Sequence, residues 1–228
     1  MTITENLRIV ANLVQTAASH IPVRLVAVSK TKPAEAILEC YSAGHRHFGE
    51  NYIQELAEKA ASLPLDIQWH FIGNMQSNKA KVLAAIPNLF MIESIDSRKK
   101  ALSLEKACSS RTDPIGIMLQ VNTSGEASKG GIEIEDCVAV AQEIMSSCPK
   151  LSLKGLMTIG SPENSAKVPN PDFERLAHCK HLVEAALGIP LELSMGMSGD
   201  FEAAIAQGST NVRVGSKIFG ERFYQPTQ

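Results

Sequence analysis

The chain has 228 residues, with 22 Lys plus Arg against 24 Asp plus Glu and a formal net charge of −2. That balance excludes the basic footprint of a nucleic-acid partner, and 44% apolar with 20% charged residues excludes a disordered chain. No apolar run reaches the roughly eighteen residues of a membrane span, and the opening stretch carries Glu5 and Arg8 inside an amphipathic pattern, so neither a signal peptide nor a membrane partner is expected.

The first predicted element is a helix from about residue 3 to 18. Strand-like runs follow as "RLVAVSK", "HRHFGE", "IQWHFIG", "LFMIESI", "IGIMLQVN", "LSLKGLMTIG", "LELSMGM" and "NVRVGSKIFG". Helix candidates lie between them, among them "PAEAILECYSAG" with Pro33 near its start, "DSRKKALSLEKACSS" with Asp96 or Ser97 as cap, and "DFEAAIAQG" with Gly208 as stop. This rhythm predicts an α/β fold, a (β/α)8 barrel preceded by an N-terminal helix and forming one domain over residues 1–228. A doubly wound open sheet is the runner-up, but the first strand is not followed by the G-x-G-x-x-G of a dinucleotide site. The polar, proline-rich insert at 161–172 reads either as a mobile rim loop or as a passive surface loop. Cys40, Cys108, Cys137, Cys148 and Cys179 are odd in number, scattered and without a C-x-x-C pair, which predicts reduced buried thiols rather than disulfides or zinc.

Side chains alternate across a strand, so Val26, Val28 and Lys30 share a face. If the two valines fill a barrel interior, Lys30 stands at the C-terminal mouth, where barrel active sites are built. Partial burial there disfavours an ammonium and makes the amine able to condense with a carbonyl. The competing reading is a surface lysine reaching into solvent. Two glycine- and hydroxyl-containing stretches, "LSMGMSGD" and "RVGS", end the seventh and eighth strands, where barrels frequently hold phosphate. Glycine permits close backbone approach, and Ser194, Ser198 and Ser216 add hydroxyl donors around Gly215. Arg213 lies two residues before Gly215, on the same face, and a guanidinium is one recognised partner of a pyridoxal ring nitrogen. Because arginine stays protonated, it would leave that nitrogen unprotonated and the ring a weaker electron sink.

The stretches "AVSKTKP", "FGENYIQEL", "WHFIG" with "QSNK", "NTSGEASKGG", "GLMTIG", "LSMGMS" and "STNVRVGSKIFGER", in this order over nearly the whole chain, resemble the pyridoxal phosphate homeostasis proteins, single-domain relatives of the alanine racemase N-terminal barrel. The resemblance implies a fold-type III pyridoxal phosphate protein with pyridoxal 5'-phosphate as cofactor. It further implies Lys30 as the aldimine lysine, Ser194, Ser198, Gly215 and Ser216 as phosphate contacts, and Arg213 as the pyridine-nitrogen partner. Asn51 and His70 match motif positions at the same mouth. Met75 and Ser216 are small departures that preserve size or hydroxyl chemistry.

His70 alternates with Trp69 and Phe71 and is expected to be a hydrogen-bonded structural histidine lining the site. His45 with His47, and His178 with His181, share faces without carboxylate or cysteine companions, so no metal is expected, and "SRKK" at 97–100 reads as a solvated helix start. Racemisation generally needs two acid/base groups, which the racemase relatives complete with a further domain on a partner subunit, and none of Tyr41, Tyr52 and Tyr224 has a reason to cover the second cofactor face. The expectation is a cytosolic cofactor carrier, with a mitochondrial fraction left open, that buffers pyridoxal 5'-phosphate and delivers it to apo-enzymes. It is expected to be a monomer, with a dimer through an outer helix as the alternative, and without robust catalysis of its own. An amino-acid racemase of narrow specificity and a Schiff-base aldolase acting on a phosphorylated substrate are the alternatives. Lys32 and Lys129, expected in rim loops, are candidates for transient cofactor acceptance or plain surface lysines.

Overall fold

The alternation of the apolar runs becomes the inside and the outside of a closed cylinder. A computed structural model describes residues 1–19, 21–126 and 130–221. Eight parallel strands close in chain order: β1 (Arg24–Val28), β2 (His47–Glu50), β3 (Gln68–Phe71), β4 (Leu89–Ile95), β5 (Ile115–Gln120), β6 (Leu151–Met157), β7 (Glu192–Ser194) and β8 (Asn211–Val214). Around them run α1 (Ile3–Ala18), α2 (Ala34–Ser42), α3 (Ile53–Ser62), α4 (Ala80–Ala84), α5 (Arg98–Ala107), α6 (Cys137–Ser147), α7 (Pro171–Leu187), α8 (Phe201–Ala206) and α9 (Ser216–Phe219). The expected barrel with its preceding helix is the fold of this chain.

Two separate apolar clusters divide the molecule. The large one lies between strands and helices and contains Phe48, Trp69, Phe71, Ile92, Ile117, Leu156, Leu193, Val212 and Val214. Their strand neighbours Met91, Met118 and Met157 form a second, small cluster and face the barrel axis. Burying each large side chain of the outer layer contributes roughly 1.5–3 kcal/mol, so this layer is the main adhesive of the fold.

Local chemistry sets the element ends. Thr2 and Glu5 form a capping box at the start of α1, with Thr2 Oγ1 accepting from Glu5 N at 3.1 Å. Leu7, Val10 and Val14 are the buried stripe of that helix, and Asn6 Nδ2 donates to Ile218 O at 3.1 Å, which docks α1 beside α9. Asn170 caps α7 and Pro171 opens it, while Gly188 at φ +68° ends it in the left-handed region. Among the described residues, no helix is long and apolar enough to cross a membrane.

Two expectations change. The eighth run is a strand only to Val214, because Gly215 turns into αR backbone and residues 216–219 form a helical turn instead of continuing the sheet. The insert at 161–172 is pinned rather than loose: buried Asp172 Oδ2 accepts from Ser161 N at 2.8 Å, Ser161 Oγ at 3.0 Å and Asn164 Nδ2 at 3.0 Å.

Candidate functional site

The seam of the barrel brings the two halves of the expected site together. β8 pairs with β1 in the register Arg24↔Asn211, Leu25↔Val212, Val26↔Arg213 and Ala27↔Val214. Both strands run the same way, so the residues just past their C-terminal ends emerge side by side. Lys30 stands two residues past β1, and Gly215 and Ser216 directly follow β8. Val26 and Val28 share the inward face with Lys30, and Gly49 on β2 leaves them room: a Cβ there would lie 2.9 Å from Val26 Cγ1.

Lys30, Ser198, Arg213, Gly215 and Ser216 line a single cavity of about 340 Å³, walled also by Val28, Ile72 and Met197. On one side, Gly215 N donates to Ser198 Oγ at 3.1 Å, which leaves the Ser198 hydroxyl hydrogen available to an anion. Gly215 sits so close to β1 that a Cβ would lie 3.3 Å from Val28 O. The β7–α8 turn needs its glycine as well: Gly196 has φ +96°, and a Cβ there would lie 2.5 Å from Ala204 Cβ.

Below the cavity a polar network fills the barrel. Arg213 Nη1 donates to Ser194 Oγ at 2.5 Å and Nη2 donates to Thr158 O at 2.9 Å, which fixes the guanidinium in plane. Ser194 Oγ donates in turn to Glu93 Oε2 at 2.5 Å, and Asn211 Nδ2 donates to Ser194 Oγ at 3.0 Å and to both Glu93 oxygens at 3.2 Å. Glu93 Oε1 also pairs with His70 Nδ1 at 2.6 Å, and His70 Nε2 meets His47 Nδ1 at 3.0 Å. Burial is the largest influence on the Glu93 carboxyl and opposes ionisation. The His70 hydrogen bond and charge, Arg213 and Ser194 outweigh it and hold the group at about 2. Burial pushes the Arg213 guanidinium down, with Glu93 and Asp200 acting against it. Burial also lowers His47 to about 3, so this ring is neutral at physiological pH.

Three expected positions lie off the cavity wall. Ser194 is fully buried and does not line the cavity; it links Glu93 to Arg213, because β7 ends there and Ser194 pairs in register with Met157 and Asn211 inside the barrel. His70 likewise has no exposed surface, its two ring nitrogens taken by Glu93 and His47. It is the structural histidine expected, but it does not reach the mouth. Asn51 follows β2 outside the cavity wall, with its backbone so close to Gly73 that a Cβ on that glycine would lie 1.8 Å from Asn51 O. Its Oδ1 is buried without a hydrogen-bond partner among the described residues. Lys32 Nζ donates to Glu221 O at 2.9 Å, and Lys129 and Tyr224 lie outside the described residues.

Glu93, Thr158 and Asn211 are the residues that sequence reasoning missed. The signal for Glu93 was present: one carboxylate inside the apolar run "LFMIESI" must find partners if the strand is buried. Among the described residues no group of three or more His, Cys, Asp or Glu side chains gathers as a metal site requires.

The family described as alanine racemase, N-terminal domain, matches residues 2–223. A pyridoxal phosphate homeostasis protein of Mus musculus is 50% identical over 212 residues, 88% of this chain and 77% of its own length. That of Schizosaccharomyces pombe is 47% identical over 222 residues, 97% of this chain and 93% of its own. The solved structure of PipY of Synechococcus elongatus with PLP bound superimposes with a TM-score of 0.80 at 35% identity, covering 96% of this chain and all of that one (100%). Alanine racemase of Corynebacterium glutamicum, at 14% identity and a TM-score of 0.72, shares the fold, with 96% of this chain covering 61% of that one. The residues that meet at the barrel seam thus stand in a chain that belongs to the family of pyridoxal phosphate homeostasis proteins, within the alanine racemase N-terminal domain family.

Proposed function

We propose that this protein binds pyridoxal 5'-phosphate at the C-terminal mouth of its barrel, that it does so in the cytosol as a monomer, and that it buffers and delivers the cofactor rather than catalysing a reaction with it. One observation carries the reading: the amine of Lys30, the hydroxyls of Ser198 and Ser216 and the guanidinium of Arg213 line one cavity although they come from opposite ends of the chain. The fit is chemical and steric. About 340 Å³ falls within the roughly 300–1,000 Å³ of small-molecule sites. An aldehyde calls for an amine, a phosphate calls for hydroxyl and amide donors beside side-chain-free backbone, and a pyridine nitrogen calls for one donor held in plane. Each demand has its residue. When bound, the cofactor supplies an aldehyde open to attack by amines.

The residues of the chain divide the work. Lys30 offers its ε-amine for covalent attachment, Ser198 and Ser216 donate toward the phosphate, and Gly215 lets the backbone approach it. Arg213, aligned by Ser194 and Thr158 O, presents an N–H toward the ring nitrogen and keeps a proton off it. The carrier reading is supported by the makeup of the wall: among the described residues lining the cavity, Lys30 and Arg213 are the ionisable ones, whereas racemisation generally needs two acid/base groups. The PLP bound in the PipY structure and the names of the relatives point the same way.

The test is direct. Purified protein incubated with pyridoxal 5'-phosphate and dialysed should show a visible absorbance band that bleaches on borohydride and leaves a pyridoxyl mass on the peptide containing Lys30; Lys30→Ala should show neither. Absence of the band in the wild type refutes the binding site. Turnover of an amino-acid panel, surviving repeated purification and followed by chiral chromatography, refutes the carrier reading.

A further inference from the structure

The residues on either side of Lys30 are held from behind, away from the cavity. Ser29 is buried; its Oγ donates to Glu50 Oε1 at 2.6 Å and its carbonyl accepts from Lys59 Nζ at 2.9 Å. Thr31 has φ +63°, the left-handed region that a β-branched residue rarely adopts, and its amide donates to Glu55 Oε1 at 2.7 Å. Lys59 joins the two sides. Its Nζ donates to Glu50 Oε1 at 2.8 Å and to Glu55 Oε1 at 2.6 Å, in addition to Ser29 O. An ammonium has three hydrogens, and these three acceptors take one each. Lys59 is 8% exposed, an uncommon place for a lysine, and it lies one helical turn from Glu55 on the same face of α3.

We propose that Lys59 is a positioning residue for Lys30: through Ser29 O and Glu55 it holds the backbone on both sides of the reactive lysine, keeps the turn at Thr31 in its left-handed form and so aims the Lys30 amine into the cavity. The inference rests on the reading that Lys30 condenses with the cofactor aldehyde. In that step the neutral Lys30 amine forms a C=N bond to the aldehyde carbon, and its two hydrogens depart with the carbonyl oxygen as water. Lys59 touches none of the reacting atoms. Its effect is on the geometry of attack, not on the phosphate or ring contacts, which come from β7, β8 and the turns after them.

The experiment separates the two. The condensation rate is read by stopped-flow absorbance after mixing protein with pyridoxal 5'-phosphate. Non-covalent affinity is read by calorimetry with pyridoxine 5'-phosphate, whose alcohol cannot condense. Lys59→Met and Glu55→Ala are expected to slow condensation by about 10-fold to 100-fold with the pyridoxine phosphate Kd within about 2-fold, because a misplaced nucleophile loses rate and not cradle binding. Glu55→Gln keeps an oxygen for the Thr31 amide and should restore the rate. If Lys59→Met does not fold by circular dichroism, Glu55→Ala, whose side chain is partly exposed, carries the test. Wild-type condensation rates in the variants overturn the proposal, as does a parallel loss of rate and affinity, which would mark a purely structural role. Wild type that never condenses, or Lys30→Ala that still does, overturns instead the reading beneath it.

Discussion

Replacing Glu93 by Gln removes one negative charge from the middle of the barrel and puts an NH2 group where the carboxylate accepts from His70, Ser194 and Asn211. The carboxyl sits at about 2 against an ordinary 4.5, which corresponds to roughly 3 kcal/mol of stability at neutral pH. The sign follows from the direction of the shift. A depressed carboxylate contributes fully above its unfolded value near 4.5 and loses that contribution as pH falls toward 2, about 1 kcal/mol of it between pH 5 and 3.5. Urea unfolding of wild type and Glu93→Gln at pH 7, 5 and 3.5 should therefore show a gap of roughly 3 kcal/mol that is constant from pH 7 to 5 and smaller by about 1 kcal/mol at pH 3.5. The variant should also bind the cofactor with a displaced absorbance maximum, since Arg213 loses the charge that anchors it through Ser194. A variant as stable as wild type at pH 7, or a gap that widens in acid, refutes the reasoning.

Further outcomes follow from other parts of the molecule. Arg213→Glu sets a second carboxylate near Glu93, takes the guanidinium donor from Ser194 Oγ, which keeps Asn211, and takes it from Thr158 O; a moved absorbance band and a lowered Tm are expected, and an unchanged spectrum of bound cofactor counts against the assigned place of Arg213. Gly196→Ala forces a Cβ to 2.5 Å from Ala204 Cβ at a φ of +96°, for which a loss of roughly 1–3 kcal/mol is expected in thermal melting, and an unaltered Tm would contradict the close approach. All five cysteines are buried, and burial pushes Cys40 up to about 12 and Cys108 up to about 11. A thiol reagent at pH 8 should label native protein slowly and all five sites on unfolding; rapid native labelling of any of them would show that site to be open.

The outer layer of the barrel was legible because its pattern is local. The α1 boundaries follow from a capping residue and a three-and-four stripe, and the face of each strand follows from alternation. Lys30 was found this way, as the next inward residue after Val26 and Val28. Alternation tells which face a side chain occupies and says little about its height along the axis. Ser194, expected as a phosphate contact, and His70, expected to line the site, both lie off the cavity wall, since nothing local shows that β7 spans only three residues or that His70 pairs in register with Met91. The partners of Glu93 come from β3, β7 and β8, so the requirement for partners could be read but not their identity. The eighth run misled for a related reason: its apolar residues continue past Val214, while one glycine changes the backbone from sheet to helical turn.

The meeting of β8 with β1 also bears on how the barrel stays shut. β8 reaches β7 through a single register pair and β1 through four, so the last strand is held chiefly by the first. A ligand held between Lys30 on one side of that junction and Gly215 and Ser216 on the other would, by mass action, raise the energy needed to part the two ends.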